Sequence, residues 1–353
     1  MGIDQKTLFL GNGLNRCLSG GVAWGDLLKD IATKYNVPYD SNIEMPLEFE
    51  RIINEYLKSS NCGSLRQDMT SLYYAIKLDI AKTVQYTNPL GPCVHKSIPF
   101  GIVRNIITTN YDTILEQAYY ETHGKHYTQP SGSKKRIKYY LSSTMDDEKV
   151  AFYHPHGIVT HPSSICLGYE HYMGLVETIR SSSNSQAKKD SKGNPLTKPE
   201  MKISRILRGA DPFTDESWEK FYTTDMAFVG FGLPSCESDI WWLLTHRAYL
   251  YYSNYPIVGN LIQNHIIYYD VIALNDKRLL KEEVKLVGNH YEFVNPKVHY
   301  SNKHKLLDGM HVDVRLRVIG PEQNYATVYT SILEELSDAD NWKACHISMN
   351  IKR

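Results

Sequence analysis

No two of the six cysteines stand as a C-x-x-C pair; Cys17, Cys62, Cys93, Cys166, Cys236 and Cys345 are scattered along the chain. This argues against a structural zinc site and suits reduced thiols in the cytoplasm. No stretch reaches the roughly 18 consecutive apolar residues that a membrane span needs. The start, Met1-Gly2-Ile3-Asp4-Gln5-Lys6, has no apolar core of a signal peptide. Lys6 also stands where a myristoylation signal carries Ser or Thr. An excess of either charge is missing too: Lys+Arg and Asp+Glu are both 39. Nothing in that balance draws the protein to nucleic acid or an anionic membrane, and the run Lys134-Lys135-Arg136-Ile137-Lys138 reads as a solvated loop. Finally, there is no G-K-[ST], so the chain has no P-loop. What is abundant is tyrosine, 26 residues against 9 phenylalanines. Tyrosine combines apolar area with a polar tip, which serves a core rim or an interface.

The chain is organised around Ile106-Ile107-Thr108-Thr109-Asn110-Tyr111-Asp112-Thr113. An apolar run stops on threonines and gives way to a helical pattern through Ile114, Leu115, Ala118 and Tyr119. Thr113 and Glu116 have the spacing of a capping box. Asn110 and Asp112 are therefore expected where a buried strand ends and a helix begins, the place where α/β sheets bind ligands. Similar junctions recur. Residues 6–10 read as a strand followed by Gly11-Asn12-Gly13-Leu14-Asn15-Arg16, whose glycines suggest a turn with exposed backbone N–H groups. Arg16 stands where a G-x-G-x-x-G motif has its third glycine. Residues 150–153 read as a strand delivering His154-Pro155-His156-Gly157. His154, His156 and His161 raise the question of metal, but no carboxylate or cysteine partner has ligand spacing. His156 is then a base or a structural histidine. Residues 226–232 read as a strand ending on Gly230 and Gly232, with Ser235 and Asp239 ahead of a helix. Tyr268 to Leu274 is the next strand, with Asn275 at its end.

These alternations predict an α/β fold: a Rossmann-like parallel sheet with helices on both faces. Residues 1–353 read as a single domain carrying a helical insertion at about 40–92, a mobile polar loop at about 180–200 and a C-terminal extension at about 301–353.

The order of these polar strand ends resembles the sirtuin family. Thr108-Thr109-Asn110-Tyr111-Asp112 is similar to the sirtuin T-Q-N-I-D motif, and His156-Gly157 to its H-G. Phe228-Val229-Gly230-Phe231-Gly232-Leu233 resembles V-V-G-T-S-L, Gly11-Asn12-Gly13 stands at G-A-G, and Asn275 at the asparagine that meets the adenosine ribose. The four-cysteine zinc module of sirtuin deacetylases is absent; residues 158–227 hold only Cys166. Gly20-Gly21-Val22-Ala23-Trp24 replaces the deacetylase G-I-P-D-F-R segment. The pattern is closer to the zinc-free sirtuin-like domains of bacterial anti-phage defence, which resemble NAD hydrolases.

The resemblance implies an NAD+ glycohydrolase with NAD as substrate and no metal. It implies catalytic roles for Asn110, Asp112 and His156, with His156 as the base. Gly11, Asn12, Gly13, Leu14, Asn15, Thr109, Gly230, Gly232, Ser235, Asp239 and Asn275 would contact the dinucleotide, with the pyrophosphate on the amides of Gly11 to Leu14. The alternatives are a module that binds NAD or ADP-ribose without turnover, and a protein deacylase or ADP-ribosyltransferase. An unrestrained NAD hydrolase would be toxic, so control is expected from a homo-oligomer or from a partner ATPase or nuclease component of a defence system.

Overall fold

The computed structural model describes residues 5–59, 65–84, 91, 93–124, 127–128, 141–145, 150–184, 192, 201–213, 216–253, 261–273, 283–287, 290–320 and 322–343. Its strands are β1 (Lys6–Leu10), β2 (Val103–Thr108), β3 (Tyr127–Thr128), β4 (Leu141–Met145), β5 (Ala151–His154), β6 (Asp225–Val229), β7 (Ile266–Ala273), β8 (Val284–Val287), β9 (His290–Phe293) and β10 (Asp313–Ile319). They form one sheet in the order β3-β4-β5-β2-β1-β6-β7-β10-β9-β8. The centre, β5-β2-β1-β6-β7-β10, pairs parallel throughout. Antiparallel pairs close both edges. The helices are α1 (Asn12–Asn15), α2 (Trp24–Lys34), α3 (Met45–Ser59), α4 (Leu65–Thr83), α5 (Ile114–His123), α6 (Tyr169–Ser183), α7 (Lys202–Leu207), α8 (Ser217–Thr223), α9 (Ser238–Tyr252), α10 (Asn302–Gly309) and α11 (Tyr325–Glu335). This is the expected Rossmann-like α/β fold.

A parallel strand is buried on both faces, so its sequence is apolar without alternation. In β1, Leu8 and Leu10 face one core cluster and Phe9 the other; in β7, Tyr269 and Tyr268 divide the same way. Helices α6 to α9 supply one cluster, and α5 with α11 the other. Tyrosine pairs on helices behave differently: Tyr119 is buried while Tyr120 is exposed, because helical neighbours face apart.

The chain steps from β1 to β2 and β5 on one side, and to β6, β7 and β10 on the other. β1 and β6 therefore flank the point where the order reverses, and there the loops beyond the strand ends part to leave a cleft. A third apolar cluster, from α2, α3 and α4 with Tyr111, Val159, Ile165 and Leu167, packs over this end of the sheet.

Three expectations change. The segment from about 301 is no appendage, because β10 pairs with β7 along its whole length. The polar loop expected from about 180 begins later, since α6 runs to Ser183; residues 185–191 and 193–200 lie outside the described residues. The expected capping box is not formed. Thr113, with φ −113° and ψ 27°, makes no side-chain cap bond, and Asp112 Oδ1 instead accepts from Ile114 N at 3.0 Å. Glu116 is turned inward, its Oε1 2.8 Å from His154 Nε2.

Candidate active site

A cavity of about 450 Å³ opens at the C-terminal ends of the parallel strands, within the size range of small-ligand pockets. Asn12, Gly13 and Asn15 line it after β1, Thr109, Asn110 and Asp112 after β2, His156 after β5, Gly230 and Gly232 after β6. Nine of the expected site residues thus meet in one place, although they are spread over most of the chain.

The glycine turns act first by letting β1 and β6 approach. A Cβ at Gly13 would lie 2.6 Å from the Tyr329 hydroxyl and 2.7 Å from Gly230 O. Gly230 has φ +66°, and its Cβ would meet Leu14 Cδ1 at 2.4 Å. The expected phosphate cradle is correspondingly reduced. Gly11 N donates to Val229 O at 3.1 Å and Gly13 N to Gly230 O at 2.8 Å, so these amides are spent on β6. Gly11 and Leu14 are packed away from the cavity, Leu14 in the core. The lining includes Arg16, a cation close to the turn that the glycine spacing alone did not single out.

The organising triplet is held by its neighbours. Thr108 Oγ1 donates to Leu10 O at 2.7 Å and accepts from Asn110 N at 3.1 Å. His154 Nδ1 donates to Asn110 O at 3.0 Å, while its Nε2 faces Glu116. Burial alone would lower the His154 pKa, but Glu116 outweighs it and the pKa is raised. His154 thus clamps the Asn110 backbone with one ring nitrogen and faces Glu116 with the other. Asn15 plays a similar part for Asp112: its Nδ2 donates to Asp112 Oδ2 at 2.6 Å, and its Oδ1 accepts from His95 Nε2 at 2.8 Å. Burial lowers His95 to about 4, which keeps that ring neutral. Burial raises the Asp112 carboxyl to about 6, against the lowering effect of the Ile114 N–H.

His156 is 1% exposed, with Tyr172 edge-on at 5.0 Å between ring centroids. Cys166 N donates to its carbonyl at 2.8 Å and so fixes the turn after β5. Its Nε2 lies 3.0 Å from Asp239 Oδ2, and its Nδ1 3.6 Å from Glu237 Oε2. Burial would lower the His156 pKa, but the two carboxylates raise it to about 9. Glu237 is itself raised to about 7, by burial and Asp239 against the pull of His156. Oxygens of Glu237 and Asp239 remain buried without a hydrogen-bond partner. Donor atoms of the three side chains lie within 4.8 Å of one another, close enough for a cation to be considered. The imidazolium already supplies positive charge there, with each ring nitrogen facing a different carboxylate. We read the three as an ion-paired cluster and assign no metal.

Asp239 therefore serves His156 and does not line the cavity. Ser235 lies outside the lining as well: it is exposed and bonds the Glu44 carboxylate. Asn275 lies outside the described residues. The sequence reading missed Glu237, Arg16 and Asp270 in the lining, and the aromatic wall of Trp24, Tyr111 and Tyr172. It also found no chemistry in the helical insertion, whose Met45 lines the cavity and whose Glu44 meets Ser235. Asp270 sits on β7 just past the level of the β6 end, bonded by His304 Nε2 at 2.7 Å and paired with Lys303 at 3.3 Å. An acid near the C-terminal end of a parallel strand, two strands from β1, is a residue the fold class could have flagged.

The three histidines that lie close in sequence diverge. His154 turns to Glu116 and His156 to Asp239, while His161 Nδ1 lies 3.1 Å from Thr160 Oγ1 at the surface. Among the described residues, Cys17, Cys93, Cys166 and Cys236 are free thiols. No helix among those residues is long and apolar enough to cross a membrane.

The family model of the SIR2-like domain matches residues 104–233, from β2 through the glycine turn after β6. No curated protein matches the chain.

Proposed function

We propose that this chain, similar over residues 104–233 to the SIR2-like domain, uses NAD and hydrolyses it to nicotinamide and ADP-ribose. The observation that carries this reading is the convergence of Asn110, Asp112 and His156 on one cavity at the switch point of the sheet. Cleaving the nicotinamide–ribose bond builds positive charge on the sugar, as glycoside hydrolysis does. A wall of carboxylates suits that charge. Asn110 would hold the ribose and the attacking water, and Asp112 the nicotinamide carboxamide. Asp112 at about 6 is a carboxyl able to accept or donate a hydrogen bond near neutral pH. Arg16 would face the pyrophosphate in place of the spent glycine amides. Asp270 would take a hydroxyl of the adenosine ribose, as acids do in dinucleotide folds.

The missing zinc module favours water over an acyl-lysine peptide as acceptor. In the same reading NAD is depleted in the cytoplasm during anti-phage defence, held in check by self-assembly or a partner. Purified protein and NAD test the activity through release of free nicotinamide and ADP-ribose. Asn110→Ala and His156→Ala should each lose roughly 10²–10⁴-fold in kcat, the usual range for such groups. Tight NAD binding without products would favour a sensing module, and full activity in both variants would refute the site assignment.

A further inference from the structure

The cavity runs across the ends of β2, β1, β6 and β7, from Asn110 to Asp270. Neighbouring strands lie about 4.8 Å apart, so three spacings separate these two residues by roughly 15 Å. A dinucleotide carries its two riboses on either side of a pyrophosphate. With one ribose at Asn110 and the pyrophosphate over the β1 turn, the second ribose falls at Asp270.

The donors around Asp270 are already spent. Lys303 Nζ donates to Gly232 O at 3.0 Å and to Tyr268 Oη at 2.8 Å, and pairs with Asp270 Oδ2 at 3.3 Å. That accounts for the three N–H groups of an ammonium. Ser301 N donates to His304 Nδ1 at 3.2 Å, so the ring hydrogen stands on Nε2 and goes to Asp270 Oδ2 at 2.7 Å. Tyr268 Oη gives its own hydrogen to Phe231 O at 2.8 Å. Both partners of the acid therefore fall on Oδ2. Oδ1 has no hydrogen-bond partner among the described residues, on a side chain that is 27% exposed. Burial would raise the Asp270 pKa, but His304 and Lys303 lower it, so the acid stays ionised.

This corner offers an acceptor and no donor. A ribose hydroxyl can donate to it. A phosphate ester brings only acceptor oxygens and negative charge. Arg16, the lysine or arginine of the cavity lining, follows α1 on the β1 side, where the pyrophosphate lies.

We propose that Asp270, fixed by Lys303 and His304, makes this site select NAD over its 2′-phosphorylated form, NADP. The proposal rests on the reading that the cavity holds NAD. Lys303 and His304 stand on α10, so the C-terminal segment that supplies β10 also sets the choice of substrate.

Wild type, Asp270→Asn and Lys303→Met are to be compared on NAD and NADP, by nicotinamide release and by calorimetry. Wild type should prefer NAD by about 10²-fold in kcat/KM, the scale of a like-charge contact near a protein surface. Asp270→Asn keeps the shape, removes the charge and releases a Lys303 donor. The preference should then shrink by roughly tenfold or more, through a lower KM for NADP. Lys303→Met removes the cation and keeps the acid, and should hold or widen the preference; a general loosening of the corner would narrow it in both variants. Equal use of the two dinucleotides by wild type, an unchanged preference in Asp270→Asn, or a narrowed one in Lys303→Met would overturn the proposal and leave the hydrolase reading standing. If wild type releases no nicotinamide, that reading falls, while calorimetric selectivity for NAD that is lost in Asp270→Asn still upholds the proposal. Binding of neither dinucleotide would overturn both.

Discussion

Two regions of this protein bury charge, and they do so in opposite ways. Around β10 the carboxylates of Glu292, Asp313 and Glu335 each meet a guanidinium. Glu335 bonds Arg315 Nη1 at 3.0 Å and Arg317 Nη2 at 2.8 Å, Glu292 meets Arg317 Nη1 at 2.9 Å, and Asp313 accepts from Arg315 Nε at 3.0 Å. Burial would raise Glu335, but the arginines lower it. At the cavity, Glu237 and Asp112 are raised to about 7 and about 6, and one oxygen each of Glu237 and Asp239 has no hydrogen-bond partner. The first arrangement keeps acids ionised and locks a strand to a helix. The second keeps them near their protonation midpoint at neutral pH, where a group can exchange protons. The difference separates a charge network saturated with cations from one that holds its acids near neutral pH.

Removing a partner from the arginine network should have the largest effect on stability. Arg317→Ala takes a cation from both Glu335 and Glu292, at a cost of about 3–5 kcal/mol, read from urea unfolding. Glu237→Gln, by contrast, replaces a carboxylate whose Oε2 makes no hydrogen bond and lies 3.6 Å from its one cation, and should leave the unfolding midpoint nearly unchanged. Equal losses in the two variants would erase the distinction.

The pH dependence should have opposite signs in the two regions. Asp112 binds its proton more tightly in the folded protein than its ordinary value of 3.8. Its stabilising contribution is therefore complete below about 4 and lost as pH rises through about 6. At about 1.4 kcal/mol per pKa unit, that is roughly 3 kcal/mol. Measured against Asp112→Asn, wild type should lose stability over this window. Glu335 is lowered, so its contribution is present above its ordinary value of 4.5 and is lost as pH falls. Measured against Glu335→Gln, wild type should gain stability as pH rises. Matching slopes would show that the two acids share one kind of environment.

A smaller effect should come from the turn that joins the two halves. Gly13→Ala places a methyl against the Tyr329 hydroxyl and the Gly230 carbonyl. The ring can shift but the backbone cannot, so a cost of about 1–3 kcal/mol is expected. NAD binding should weaken with it, because Gly13 and Gly230 both line the cavity. Unaltered stability and binding would show that the two turns are not tightly packed.

Much of the frame was legible because buried parallel strands leave an unmistakable local mark. The runs at 6–10, 150–153, 226–232 and 268–274 coincide closely with β1, β5, β6 and β7. Asn110, Asp112 and His156 were legible because each directly follows such a run, which fixes its depth in the sheet. Glu237 was not. It lies in a loop with no periodic signal, and its chemistry comes from a histidine 81 residues earlier in the chain, 237 against 156. The capping box failed for a similar reason: Glu116 has a local partner by spacing, but His154 offers it a buried charge, which outweighs an exposed cap.

Hydrophobic patterning and glycine placement, which act over a few residues, were enough to establish the class of sheet and the strand ends that carry the asparagine, aspartate and histidine. The pairing of those ends, the loss of the glycine amides to β6 and the protonation of His156 depended on groups distant in sequence. Burial and Coulomb interactions act through space, and their sign at a given side chain is settled only when the chain has brought its neighbours within a few ångströms.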